Sequence, residues 1–341
     1  MAKKRTTRVK PTDPIRAAAV DMSKREVRFL IETHQKWLAL YQSTRSRASF
    51  LHEQSQNNEN IKFLSKSVLG MRNDITGFLG LWVENHPAAK YFRDNVNGVG
   101  PFIAAGLAAY IDIDKCKNHY SSVWFYAGLT PNSRPPLQKE ADELIQMALD
   151  KFVEKHGDKA HKDHVRFIAN ALNRSYEKML KYCSRKSGPL NWRSIYGAIV
   201  HPQYCVALKL LCNSLGNDII KHKSLYQDLY RYRHNYETKN NNDFAYKKLA
   251  DTQFKRFNFD PKKVAYKAYA QGKLPQGHVN ARARRWAVKV LLAHYYQIEY
   301  YIQHGEAPSD VYALDILKGH RKIHVPGDWK TYVEEIDKNG G

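Results

Sequence analysis

The stretch "NGVGPFIAAGLAAYIDIDKCKNHYSSVWFYAGLTP", residues 97–131, joins a Gly-x-Gly turn to a helix of small residues and then to an aromatic segment ending in Ala-Gly-Leu-Thr-Pro. The pattern hydrophobic-x-Gly-hydrophobic-Gly-x-x-x-Ala is met by Val96, Gly98, Val99, Gly100 and Ala104, after a short helix expected to start near Pro87. Such a turn needs glycine where φ is positive or where backbones approach closely. The helix that follows presents its unpaired N–H groups outward, and with the positive end of its dipole they form an anion site. A DNA phosphate can occupy that site without any base-specific contact, as in a helix-hairpin-helix, here through Gly98, Val99 and Gly100. The small residues Ala104, Ala105, Gly106, Ala108 and Ala109 equally permit a tight turn between two helices that holds no ligand.

The charge of the whole chain bears on that choice. Across 341 residues, 55 Lys and Arg stand against 33 Asp and Glu, a formal net charge of +22. In a chain with 43% hydrophobic residues, enough for a sizeable core, such an excess points to a polyanionic partner. DNA, as duplex or junction, is the expected partner, with structured RNA as a second. A basic balance that serves solubility alone is the other reading. No stretch approaches the roughly 18 apolar residues that cross a bilayer, and "MAKKRTTRVKPTDP" has no apolar region behind its basic residues. Cys116, Cys183, Cys205 and Cys212 form no Cys-x-x-Cys pair, so neither a disulfide framework nor a zinc ribbon is expected, and the cytoplasm of a bacterial or phage-infected cell fits.

Outward from the glycine turn, residues 1–20 read as a flexible basic arm, or as an ordinary terminus. Apolar residues at helical spacing from Met22 to about Gln56, and again from Ile61 to Val83, make a long helical hairpin turning at Asn57 and Asn58. The hairpin, residues 21–86, can support the core or pair with a second copy, so a homo-oligomer is expected.

Two blocks carry a family resemblance. "GVGPFIAAGLAAYIDI" followed by "WFYAGLTP" resembles the C-terminal domain of the IS-one-ten family of transposases, which includes IS-one-sixteen and IS-nine-oh-two. "GKLPQGHVNARARRWAVKVLLAHYYQIEYYIQHGEAPSD", residues 272–310, is similar to the tail of transposase-like proteins of that group. The resemblance implies a helix-hairpin-helix module over 87–137 and a role in DNA transposition or recombination. It also implies a catalytic serine shortly after the Ala-Gly-Leu-x-Pro segment, where Ser133 in "TPNSRPP" is the nearest match, with Arg134 as a cation but no base nearby. Family members carry an N-terminal RNase H-like domain with four acidic residues. Residues 1–90 show two helices without alternating strands, so that domain is expected to be absent, leaving a non-catalytic regulatory or structural nucleic-acid-binding protein as the alternative. Magnesium is the cofactor only if strands are cut; Asp112 and Asp114 could hold it if a third acid joined them. At the end of a helix these acids equally cap it or pair with Lys115 and Lys117, which are themselves candidate nucleic-acid contacts.

Beyond Pro135 three further regions carry charge. Residues 138–200 form an inserted helical module. In it "HVRFIANALNRSYEKMLKYC", residues 164–183, has the rhythm of a helix-turn-helix, with Asn173 or Ser175 as the second helix's cap and Arg174, Lys178 and Lys181 on the groove-facing side. A plain core hairpin has the same pattern. Residues 203–256 read as one or two long helices whose tyrosines, Tyr226 to Tyr236, suit a helix interface or base stacking. Residues 278–302 form a basic helix in which Arg282, Arg284, Arg285 and Lys289 cluster near the start, where cations oppose the helix dipole and favour a phosphate. His320 and His324, four apart, lack a third ligand, so no metal site is expected. The expected fold is all-α, with a C-terminal helical module over 201–306 and an irregular tail over 307–341.

Overall fold

The computed structural model describes residues 12–53, 59–116, 120–187, 190–308 and 323–332. The protein is all-α, and among the described residues there is no strand. It divides into two compact units, one holding the chain up to Trp124 and again from Ala207, the other Phe125–Val206. The division falls inside the 87–137 segment, so its aromatic stretch is shared out between Trp124 and Phe125.

In the first unit α1 (Asp13–Ala18) precedes α2 (Lys24–Glu53) and α3 (Glu59–Val83), the long hairpin that the periodicity predicts. Ser23 caps α2 by a reciprocal exchange: its N–H and hydroxyl donate to the Glu26 carboxylate at 2.7 Å, and its hydroxyl oxygen accepts from Glu26 N–H at 3.3 Å. Two short helices follow, α4 (Pro87–Asn95) and α5 (Pro101–Tyr110), each opened by a proline in its first turn. Every residue from Ile103 to Tyr110 is buried. A helix apolar all round is stable only when enclosed, and α2, α3 and α4 cover three of its sides. The chain then passes through α6 (Tyr120–Tyr126) into the second unit.

That unit is built from α7 (Gln138–His156), α8 (Lys162–Ala171), α9 (Tyr176–Ser187) and α10 (Trp192–Val200) around Ala141, Ala148, Val165, Ile168, Cys183, Ile195 and Ile199. The helix pair expected in 164–183 is present as α8 and α9. Asn173 makes the turn at φ +50°, and Ser175 Oγ takes the capping role, accepting from Lys178 N–H at 3.4 Å.

Where one or two helices were expected over 203–256, there are three: α11 (Val206–Ile219), α12 (Leu225–Asn242) and α13 (Lys247–Arg256). Two local features break the run. Ser224 caps α12, and Phe244 adopts φ +58° at its end. α14 (Val264–Ala270) and α15 (Gln276–His304) complete the unit. α15 lies along α12 and reaches α4. α11 closes the remaining side of α5: a Cβ on Gly106 would collide with the Leu211 methyls. On the far side of α11, Gly216 gives the same close approach to Arg284 and Val288 of α15.

Of the tail expected to be irregular over 307–341, residues 309–322 and 333–341 lie outside the described residues; Ile323 to Asp328 are irregular, 329–332 are helical, and this described stretch is tied to the core. The Tyr226 hydroxyl donates to His294 Nδ1 at 2.9 Å, and His294 Nε2–H donates to the Ile323 carbonyl at 2.8 Å, which fixes one neutral tautomer. Tyr91 donates to the Pro326 carbonyl, and Trp329 sets its ring edge-to-face with Tyr301. Burial pushes the His294 imidazole down to about 4 from an ordinary 6.5; burial together with the Arg72 charge does the same to His34, stacked on Phe102 at 4.2 Å.

Both histidines stay neutral in the fold over a range where the unfolded chain takes up protons. Their contribution is therefore complete above pH 6.5 and is lost as pH falls toward 4. The expected loss is about 2–3 kcal/mol for each, read from urea midpoints across that window. His294→Gln should flatten the slope, and an unaltered slope would contradict the assignment. Gly106→Val should lower stability by about 1–3 kcal/mol or more in the same assay, because Leu211 has nowhere to retreat.

Candidate nucleic-acid interface

The glycine turn is dictated first by helix contact. Gly98 has φ +95°, and a Cβ there would stand 3.2 Å from the Asp218 carbonyl and 3.3 Å from Ile219 Cα at the end of α11. Both reasons for glycine, positive φ and close approach, therefore meet at one residue. Val99 is buried, and Asn97 ties the turn to the Lys223 carbonyl at 3.0 Å. Only Gly100 is open, with nothing within 4 Å of a Cβ, and Pro101 beside it brings no N–H to the first turn of α5. The room for an anion on this turn is confined to the Gly100 side. Lys115 lies in a 3₁₀ turn, Asp114–Cys116; Lys117 falls outside the described residues.

Ser133 ends a second 3₁₀ turn, Pro131–Ser133, where its hydroxyl is fully buried and donates to the Thr130 carbonyl at 2.7 Å. A hydroxyl so placed locks its own turn and presents no nucleophile to solvent. Among the described residues no third ligand-bearing side chain joins Asp112 and Asp114.

On α8 and α9 the three groove-facing candidates part company. Arg174 turns inward and donates to the carbonyls of Ala198 at 2.9 Å and Ile199 at 2.8 Å, closing the C-terminus of α10. Lys178 and Lys181 stand exposed on α9.

The basic helix is divided in the same way. α15 begins at Gln276, so Arg282 lies in its second turn, beyond the strong reach of the dipole. The anion that Arg282 meets is Glu237 of α12, at 2.7 Å. Arg233 holds the same carboxylate at 2.7 Å, and Glu237 is 1% exposed. Burial acts to raise the Glu237 carboxyl, but hydrogen bonds from Arg282 and Tyr246 and the two arginine charges outweigh it and leave it below its ordinary range. Arg284 turns to α11, donating to Asn217 Oδ1 at 2.5 Å.

Arg285 and Lys289, one helical turn apart, belong with Arg233. Burial lowers the Lys289 ammonium, and the charges of Arg285 and Arg233 lower it further. Aromatic rings frame the group: Lys289 Nζ stands 5.2 Å from the Trp124 ring centroid, whose indole N–H donates to the Lys289 carbonyl at 2.8 Å. The Arg233 guanidinium stands 4.7 Å from Tyr236 and 5.7 Å from Trp286. Arg233, Arg285 and Lys289 thus lie near Trp124 and Trp286 on one face of the first unit, with Glu237 buried beside Arg233. The Arg233–Glu237 spacing of four is readable on a helix; the reach of Glu237 to Arg282, forty-five residues on, is not.

Glu237→Gln leaves two half-buried guanidinium groups without a carboxylate, and a loss of about 3–5 kcal/mol is expected by chemical denaturation. Because it also removes a buried negative charge from this face, nucleic-acid affinity measured below the melting range should hold or rise; a fall would mean that the clasp itself shapes the binding surface. No family model, no curated protein and no solved structure matches this chain.

Proposed function

We propose that this is a transposase-like DNA-binding protein that grips the nucleic-acid backbone, without base-specific contacts, through the α12–α15 face. The observation that carries this reading is the crowding of Arg233, Arg285 and Lys289 beside Trp124 and Trp286. The charges of Arg233 and Arg285 act against the Lys289 ammonium, and a phosphate beside Lys289 would offset them. Indole faces beside the cations suit stacking on exposed bases or sugars, which favours a junction or a single-stranded segment over a smooth duplex. Lys178 and Lys181 on α9 supply a second cationic surface in the other unit. The resemblance of the glycine-turn and tail blocks to transposases supports a mobile-element context within a bacterial or phage-infected cell. With Ser133 buried, the reading is of binding rather than of strand chemistry by this serine. Exposed apolar residues on the hairpin, among them Phe29, Leu40, Phe63 and Met71, support pairing of two copies.

The test is fluorescence anisotropy with duplex DNA, a four-way junction and hairpin RNA over a range of salt. Log affinity should fall linearly with log salt. The double variant Arg285→Ala, Lys289→Ala should weaken binding to every sequence alike and make that slope shallower by about 2, one counterion for each lost phosphate contact. An unchanged slope would remove this face from the interface. Cut strands on a denaturing gel after adding magnesium would restore the enzymatic reading.

A further inference from the structure

The α7–α8 turn, "HGDKAHKDH" over residues 156–164, gathers imidazoles and a carboxylate within the second unit. His156 is the last residue of α7, His161 the N-cap of α8, and Asp163 lies in the first turn of α8. His156 Nε2 stands 3.2 Å from Asp163 Oδ2, and His161 Nδ1 stands 3.7 Å from the same oxygen. One ligand atom from each of the three lies within 4.8 Å of the others. Around a tetrahedral zinc ion with bonds of about 2.0–2.1 Å, neighbouring ligand atoms are about 3.3 Å apart. Two of the three edges are already close to that spacing, and the third closes by a rotation of two imidazoles whose centroids are 4.0 Å apart.

The turn is held in place independently of any ion. Gly157 ends α7 at φ +63°, and the Trp192 indole donates to the Asp158 carbonyl at 2.9 Å. His164, fully buried behind the cluster, accepts from His161 N–H at 2.7 Å and packs edge-on against Trp192 and Phe152. The outer side is open, with the His161 side chain 49% and Asp163 33% exposed. Lys155 Nζ also approaches Asp163, at 3.7 Å, but it is 71% exposed and leaves at little cost.

We propose that His156, His161 and Asp163 bind a divalent transition-metal ion of the zinc class, with a fourth position open to water. Two neutral imidazoles and one carboxylate are zinc ligands, whereas magnesium and calcium favour oxygen alone. On binding, His161 Nδ1 gives up its 3.3 Å bond from Asp163 N–H, and the ion ties the end of α7 to the start of α8 in its place.

The experiment uses the full chain, stripped with a chelator and titrated with zinc chloride against a chromophoric competitor, then with cobalt chloride followed by visible absorption. One zinc per chain should bind in the micromolar range or tighter, and cobalt should give the intense absorption of tetrahedral coordination. His156→Ala should weaken zinc binding about tenfold or more and abolish that absorption. Asp163→Asn, which keeps the shape of the turn, should do the same with helicity and metal-free melting unchanged, so a folding defect in one variant does not decide the matter. No binding at about 100 μM zinc, far above the range for structural sites, or binding equal to wild type in a folded Asp163→Asn, overturns the site.

Discussion

A ten-residue helix without a single charged side chain, buried from Ile103 to Tyr110, has to be wrapped on every side, and the first unit is the solution to that requirement. The hairpin covers α5 from one direction, α4 from a second and α11 from a third. The approach of α11 depends on two missing Cβ atoms: Gly106 admits Leu211, and Gly98 admits the backbone at the end of α11. The glycine turn therefore serves packing first, and whatever anion it receives must come to the Gly100 side.

Electrostatics sorts the cations of the chain into two kinds. Arg174 and Arg282 have fixed protein partners, carbonyls in one case and a buried carboxylate in the other. They hold helices together, and the large net charge overstates the cations that can meet a phosphate. Arg233 belongs to both kinds, since it clasps Glu237 while its charge presses on Lys289. The clasp ties α12 to α15 beside Lys289.

Local chemistry was legible. The 3.6-residue period placed the hairpin, the Leu-Asn-Arg-Ser run with Asn173 or Ser175 as cap marked the α8–α9 turn, and the run from Arg282 to Tyr301 marked α15. A serine cap at Ser224 also broke a helix that periodicity alone would have continued. What stayed hidden depends on partners distant in sequence. Nothing near Arg174 announces the end of α10 twenty-four residues later, and nothing near Ser133 announces its burial. The histidine cluster was hidden for a different reason: Gly157 ends α7 between its members, so helical spacing does not connect them, and only the folded turn does.

The first unit is made from both ends of the chain, with residues 125–206 intervening. During synthesis α5 leaves the ribosome well before Leu211 and the still later α15, which at about 5–20 residues per second is an interval on the order of ten seconds or more. The second unit, contiguous in the chain, can close within that interval. Until it has closed and the chain has returned, the alanine-rich helix lacks its cover, and a nascent chain at this stage is a natural client for a holdase.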